Sequence, residues 1–249
     1  RRLFDSAKIL GMNIPFSIEE IDEAQKAAVS SNKLDHAYLR PMVFYGSEGM
    51  GLRADGLKVH VIVAAWAWGS YMGEENMKRG IKVRTSSYTR HHVNITMTKA
   101  KANGNYMNSM LALQEALTGG ADEALLLDPE GYVAEGSGEN FFIVRDGVIY
   151  TPELTSCLDG ITRKTIFTLA NEHGLNVIEK RITRDEVLIA DEAFFTGTAA
   201  EVTPIRELDS RPIGEGSRGP ITEILQADYF DVVHGRHEKF SEWVTLVKD

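Results

Sequence analysis

Four short runs of strand-forming residues crowd the stretch from Glu123 to Pro152: EALLLD, YVAEGS, NFFIVR and VIYTP. Tight turns at Pro129-Glu130-Gly131 and Arg145-Asp146-Gly147 join the first two runs and the last two. Connections this short leave no room for a helical crossover, which constrains the fold more than any other feature of the chain. Helical and strand patterns alternate elsewhere without a regular strand-helix-strand beat. The larger part of the chain is therefore read as α+β rather than doubly wound.

Upstream, Ser17-Ile18-Glu19-Glu20 carries the reciprocal signature of a helix start, and that helix should run to about Val29. AYLRPMVFYG and KVHVIVAAW read as strands, with Pro41 placing the first at an edge or a bulge. AWGSYMGEENMKRG loses periodicity and reads as a connector. The expected division is a small domain over 1–64, a connector over 65–78 and a large domain over 79–249. In the large domain IKVRTSSY, LNVIEKRI, Asp191 to Thr196 and EVTPIREL are expected strands. Helices are expected over Asn105 to Leu117, Thr162 to His173 and Ile221 to Val233. The opening RRLFDSAKIL has Leu3, Ala7 and Leu10 at helical spacing with nothing before Arg1 to cap it, so the chain is expected to open inside an element, with part of the native small domain preceding it.

Composition narrows the function classes. A formal charge of -9 argues against a general nucleic-acid binder, since polyanions are held by clustered cations. Cys157 is the one cysteine, so no disulfide framework or thiol metal site forms, and a reducing, cytoplasmic compartment is expected. VIVAAWAW is too short to span a bilayer. His91-His92 has no accompanying ligand spacing, and neighbouring strand residues point to opposite faces, so no metal is expected.

Four stretches carry groups capable of chemistry. TKAKANGNYM places Lys99 and Lys101 before an Asn-Gly-Asn turn; a lysine becomes a nucleophile when burial or a neighbouring cation lowers its pKa, and is otherwise a surface residue. AEGSGENFF sets Glu135 and Glu139 around a Gly-Ser-Gly. A carboxylate there either stabilises a cationic heterocycle or sits in a solvated turn. GITRKTIFTLA brings free N–H groups and the Thr162 hydroxyl to a helix entry, which makes either a phosphate cradle or a simple cap. TGTAAEVTP offers turn N–H groups to a carboxylate or phosphate, or is a polar loop.

Taken in order, AKANGNY, DPEGYVAEGSGENFFIV, GITR and FFTGTAAEVTPI resemble the fold-type IV pyridoxal-phosphate enzymes, specifically the branched-chain-amino-acid aminotransferases. The likeness covers nearly the whole chain. It implies a two-domain α+β fold, with a small α/β N-terminal domain and pyridoxal 5′-phosphate at the domain interface. It also implies reversible amino transfer between leucine, isoleucine or valine and 2-oxoglutarate, in ping-pong fashion. Lys101 falls on the Schiff-base lysine and Lys99 does not. Tyr106 falls on the tyrosine that bonds the phenolic oxygen, Glu135 on the partner of the pyridine nitrogen, and Leu158 on the side chain packed against the ring. Arg2, Ile161, Thr162 and Thr198 fall on phosphate-binding positions, and Thr198 and Ala199 on the turn that takes the substrate α-carboxylate. Arg40 matches the receptor of a distal carboxylate, Trp68 and Tyr71 wall the side-chain pocket, and Leu52 lies in a loop lent to a second subunit. The resemblance thus implies at least a homodimer working on branched-chain amino acids, glutamate and 2-oxo acids, with no nucleic-acid or membrane partner. D-amino-acid aminotransferases and aminodeoxychorismate lyases share the lysine and glutamate; a non-catalytic fragment is the remaining alternative.

Overall fold

The computed structural model describes residues 1–69 and 72–247. They form two compact units. The first comprises Arg1–Gly69, Lys99–Ala102 and residues 245–247; the second comprises residues 72–98 and 103–244.

In the first unit, helix α1 spans Arg2–Ile9 and α2 spans Ile18–Ser31. The box at the start of α2 closes in both directions: the Glu20 N–H donates to Ser17 Oγ at 3.1 Å, and the Ser17 N–H to Glu20 Oε2 at 2.7 Å. Strands β1 (Tyr38–Tyr45) and β2 (Val59–Trp66) pair antiparallel as a two-stranded sheet, in register from Tyr38 opposite Trp66 to Tyr45 opposite Val59. Every strand of such a sheet is an edge, which is how β1 tolerates Pro41. The Tyr45 hydroxyl donates to Gly11 O at 3.0 Å and ties the end of α1 to the sheet.

The second unit runs α3 (Glu74–Arg79), β3 (Ile81–Thr85), α4 (Tyr106–Thr118), β4 (Glu123–Leu127), β5 (Val133–Gly136), β6 (Asn140–Arg145) and β7 (Val148–Thr151). It continues with α5 (Ile161–Glu172), β8 (Val177–Glu179), α6 (Arg184–Leu188), β9 (Glu192–Gly197), β10 (Glu201–Leu208), β11 (Arg211–Pro212) and α7 (Pro220–Val233). The strands make one mixed sheet in the order β5-β4-β3-β10-β9-β6-β7-β8, with β11 on β10. Arg145 stands opposite Val148, so Asp146-Gly147 is a two-residue turn, and both residues have positive φ (50° and 77°) as such turns require.

The central strands are buried on both faces. Phe141, Ile143 and Phe195 enter one apolar cluster with Leu125, Ile182 and Ile205. Their neighbours Phe142, Val144 and Phe194 enter another against Ile166 and Leu169 of α5 and Leu225 and Tyr229 of α7. The uninterrupted NFFIV and AFF runs are the sequence form of this two-sided burial. Glu192 anchors α7 by accepting the Ile221 N–H (2.9 Å), the Thr222 N–H (2.7 Å) and the Thr222 hydroxyl (2.6 Å).

Three details depart from expectation. The non-periodic connector contains α3, a helix too short to show a pattern, held by buried Met77. LNVIEKRI pairs only over Val177–Glu179, the length that β7 offers it. Thr183 and Glu186 close a capping box that starts the five-residue α6. Among the described residues no helix is long and apolar enough to cross a membrane.

Candidate active site

The second unit holds a buried charge pair. Glu135 lies on β5 opposite Leu126, just before a register shift in the β4–β5 ladder. It is 4% exposed, as is Glu139, so neither belongs to a solvated turn. Arg90 Nη2 lies 2.8 Å from Glu135 Oε1, and the Leu158 N–H donates to Oε2 at 3.1 Å. Arg90 is itself 6% exposed; its Nη1 donates to Ser109 Oγ of α4 at 3.0 Å. Removing a carboxylate this far from water costs several kcal/mol unless a cation and donors replace the lost hydration. Both are present.

The segment that follows is locked to the same strands. Asn140 Nδ2 donates to Leu158 O at 2.8 Å. A Cβ on Gly160 would fall 2.0 Å from Asn140 Oδ1, so glycine is needed there for space rather than for its φ. Gly160 is the residue before α5, and no side chain caps the helix. Thr162 is therefore not the cap. It sits one residue inside, buried, facing the phenol of Tyr229, whose pKa burial pushes up. The first N–H groups of α5, Ile161 and Thr162 among them, form the positive end of a three-turn helix. The β9–β10 turn adds Thr198, exposed, and Ala199, half-buried, ahead of Glu201 at φ 56°. Thr196 Oγ1 just before it is buried without a hydrogen-bond partner among the described residues. A helix entry that begins on glycine, a neighbouring turn bearing an exposed threonine and a buried carboxylate fit a phosphorylated heterocycle carrying a protonated nitrogen.

In the first unit, Lys99 and Lys101 are both exposed, so burial does not separate one from the other. The Lys101 N–H donates to Ser6 Oγ of α1 at 3.0 Å, beside buried Ala100. Arg2 is half-buried on the same helix. On the two-stranded sheet Arg40 is exposed, its guanidinium 5.5 Å from the Tyr38 ring centre and 5.2 Å from that of Trp66. Trp68 closes the group at 4.7 Å from Tyr38 and 5.4 Å from Trp66. Leu52 and Met50 stand fully exposed on the β1–β2 loop. Tyr106 opens α4 in the second unit, half-buried. Tyr71 lies outside the described residues.

His91 is half-buried, and burial together with Arg90 lowers its pKa to about 4. No group of three or more potential metal ligands occurs among the described residues. Sequence reasoning missed Arg90, Ser6 and Asn140. Nothing in their spacing marks them, because each acts through a partner distant in the chain.

The model of the amino-transferase class IV family matches residues 1–208. A branched-chain-amino-acid aminotransferase of Pseudomonas aeruginosa is 74% identical over 99% of this chain and 80% of its own length. One of Escherichia coli is 43% identical over 99% and 81%. Among solved structures, a branched-chain amino acid aminotransferase of Thermobaculum terrenum in its PLP-bound holo form has a TM-score of 0.92 at 36% identity, covering 100% of this chain and 81% of that one. The chain belongs to the class IV aminotransferases, and its mixed helix-and-sheet architecture is that of fold type IV.

Proposed function

We infer that the protein is a branched-chain-amino-acid aminotransferase, moving an amino group between leucine, isoleucine or valine and 2-oxoglutarate with pyridoxal 5′-phosphate as cofactor. The observation that carries this is 74% identity to an enzyme of that name along 99% of the chain. The D-amino-acid aminotransferase and lyase alternatives have no comparable support.

When bound, the cofactor supplies an electron sink that acidifies the substrate Cα–H. Lys101 would hold the cofactor's aldehyde carbon C4′ and, as a free amine, would move a proton between the substrate Cα and C4′. Glu135 would keep the ring nitrogen protonated, Leu158 would pack on the ring, and Tyr106 would bond the phenolic oxygen. Arg2, the N–H groups of Ile161 and Thr162, and Thr198 hold the phosphate. Thr198 and Ala199 present amides to the α-carboxylate. Arg40 receives the distal carboxylate of glutamate, with Trp68 walling the apolar side chain. Two successive half-reactions give ping-pong kinetics. Exposed Leu52 and Met50, and the exposed apolar residues Met107, Met110 and Leu111 of α4, favour a homodimer as the working unit. A cytoplasmic setting accords with a sequence that carries one cysteine, which is buried.

Borohydride reduction of the cofactor-loaded protein followed by peptide mapping tests the assignment. A pyridoxyl label on Lys101 is expected; label on Lys99 overturns the residue, and no label overturns the cofactor. Leucine, D-alanine and aminodeoxychorismate assayed in parallel test the substrate, and turnover of D-alanine alone overturns it.

A further inference from the structure

Arg90 has no place in the chemistry above, yet it is one of the buried charges of the second unit. We propose that Arg90 is a positioning residue: it acts through Glu135, keeping that carboxylate ionised and aimed so that it holds the proton on the cofactor's ring nitrogen. This rests on the cofactor reading given above.

Stability alone does not account for the pair. A buried arginine–carboxylate bridge is often no better for folding than apolar residues of the same volume, so its presence calls for another reason. The surrounding bonds supply one. Arg90 is held at two points besides Glu135: its N–H donates to Leu127 O of β4 at 2.8 Å, and Nη1 donates to Ser109 Oγ at 3.0 Å. The main chain and one end of the guanidinium are thereby held where Nη2 meets Glu135 Oε1 at 2.8 Å, while the Leu158 N–H donates to Oε2 at 3.1 Å. Oε1 thus faces the guanidinium as an ion pair and Oε2 accepts the Leu158 N–H, so groups from two different segments meet the carboxylate.

Arginine is the suitable donor because it does not lose its proton, so Glu135 faces a permanent positive charge. That charge has two opposed effects. It favours the ionised carboxylate, and it repels a protonated ring nitrogen. A donor bonded to Glu135 is nearer to the carboxylate than to the guanidinium behind it, so the attraction wins. Without Arg90, a carboxylate this buried takes up a proton more readily and can no longer hold one on its partner.

The test compares Arg90→Gln, Arg90→Lys, Ser109→Ala, Glu135→Gln and the Arg90→Gln/Glu135→Gln double variant. The readouts are the dissociation constant of pyridoxal 5′-phosphate from fluorescence titration and the pH midpoint of the bound cofactor's visible absorption band. Arg90→Gln is expected to weaken binding about tenfold and to move the midpoint by about one pH unit to the alkaline side, since loss of ring charge makes the nitrogen shared with Lys101 easier to protonate. Arg90→Lys should restore part of the shift, and Ser109→Ala should give a smaller shift in the same direction. In the Glu135→Gln background, Arg90→Gln should move the midpoint no further. An unchanged midpoint in Arg90→Gln, or an undiminished effect in the Glu135→Gln background, overturns the proposal. If Arg90→Gln fails to fold, wild-type midpoints in both Arg90→Lys and Ser109→Ala overturn it. A wild-type protein that develops no visible band refutes instead the cofactor reading beneath it.

Discussion

Two arginines in this protein meet the cost of a charge in opposite ways. Arg90, in the unit built on the nine-stranded sheet, is 6% exposed and locked against Glu135 and Ser109. Arg40, on the two-stranded sheet, keeps its guanidinium in water and lies over the rings of Tyr38 and Trp66. The first arrangement has one low-energy geometry, because any displacement leaves a buried charge without its complement. The second is shallow. An exposed cation–ring contact is worth about 0.5–1 kcal/mol, so Arg40 can be drawn away at small cost. The proposed roles differ in the same way: Arg90 is proposed to hold Glu135, and Arg40 to receive a γ-carboxylate without excluding an aliphatic side chain.

The largest expected effect sharpens the buried side of this contrast. Glu135→Gln removes the charge at constant size and should lower kcat by about 10²–10³-fold, measured as leucine-dependent glutamate formation. A loss below about tenfold would mean that Glu135 is structural only. Next in size is a pair of glycine substitutions. Gly160→Ala drives a methyl group into Asn140, which already holds Leu158, and should cost about 1–3 kcal/mol in urea unfolding. Gly69→Ala, with nothing within 4 Å of the new Cβ, should stay within about 0.5 kcal/mol. Equal costs at the two sites would erase the distinction between a rigid and a tolerant region.

Arg40→Ala probes the exposed side. It should raise the KM for 2-oxoglutarate about tenfold and leave that for leucine within about twofold. A matching rise for both substrates would assign Arg40 to general binding instead.

The smallest effect is one of pH. The unfolded His91 takes up a proton near 6.5, the folded one only at about 4. Between these values the unfolded chain binds more protons, so stability falls as pH drops through the window. His91→Gln should flatten this acid limb by less than about one proton in chemical denaturation at stepped pH. An unchanged slope would remove His91 from the buried neighbourhood of Arg90.

Much of this was readable from local chemistry. The Ser17–Glu20 box, the Asp146-Gly147 turn and the short turn-bounded strands from Glu123 to Thr151 each involve residues within a few positions of one another, and the local sequence reports such relations directly. The four motifs also brought out the family, the cofactor and the lysine to test. Helices α3 and α6 escaped because five or six residues hold too few turns to display a period. What only the tertiary structure decided is which polar groups lose their water. Glu135 in a Gly-rich segment, Arg90 before two histidines and Gly160 ahead of a helix look like turn residues in the linear text. Folding brings Arg90, Leu158 and Ser109 to one buried carboxylate and sets Asn140 against Gly160. Burial and charge pairing depend on neighbours far apart in the chain, and no local pattern encodes them.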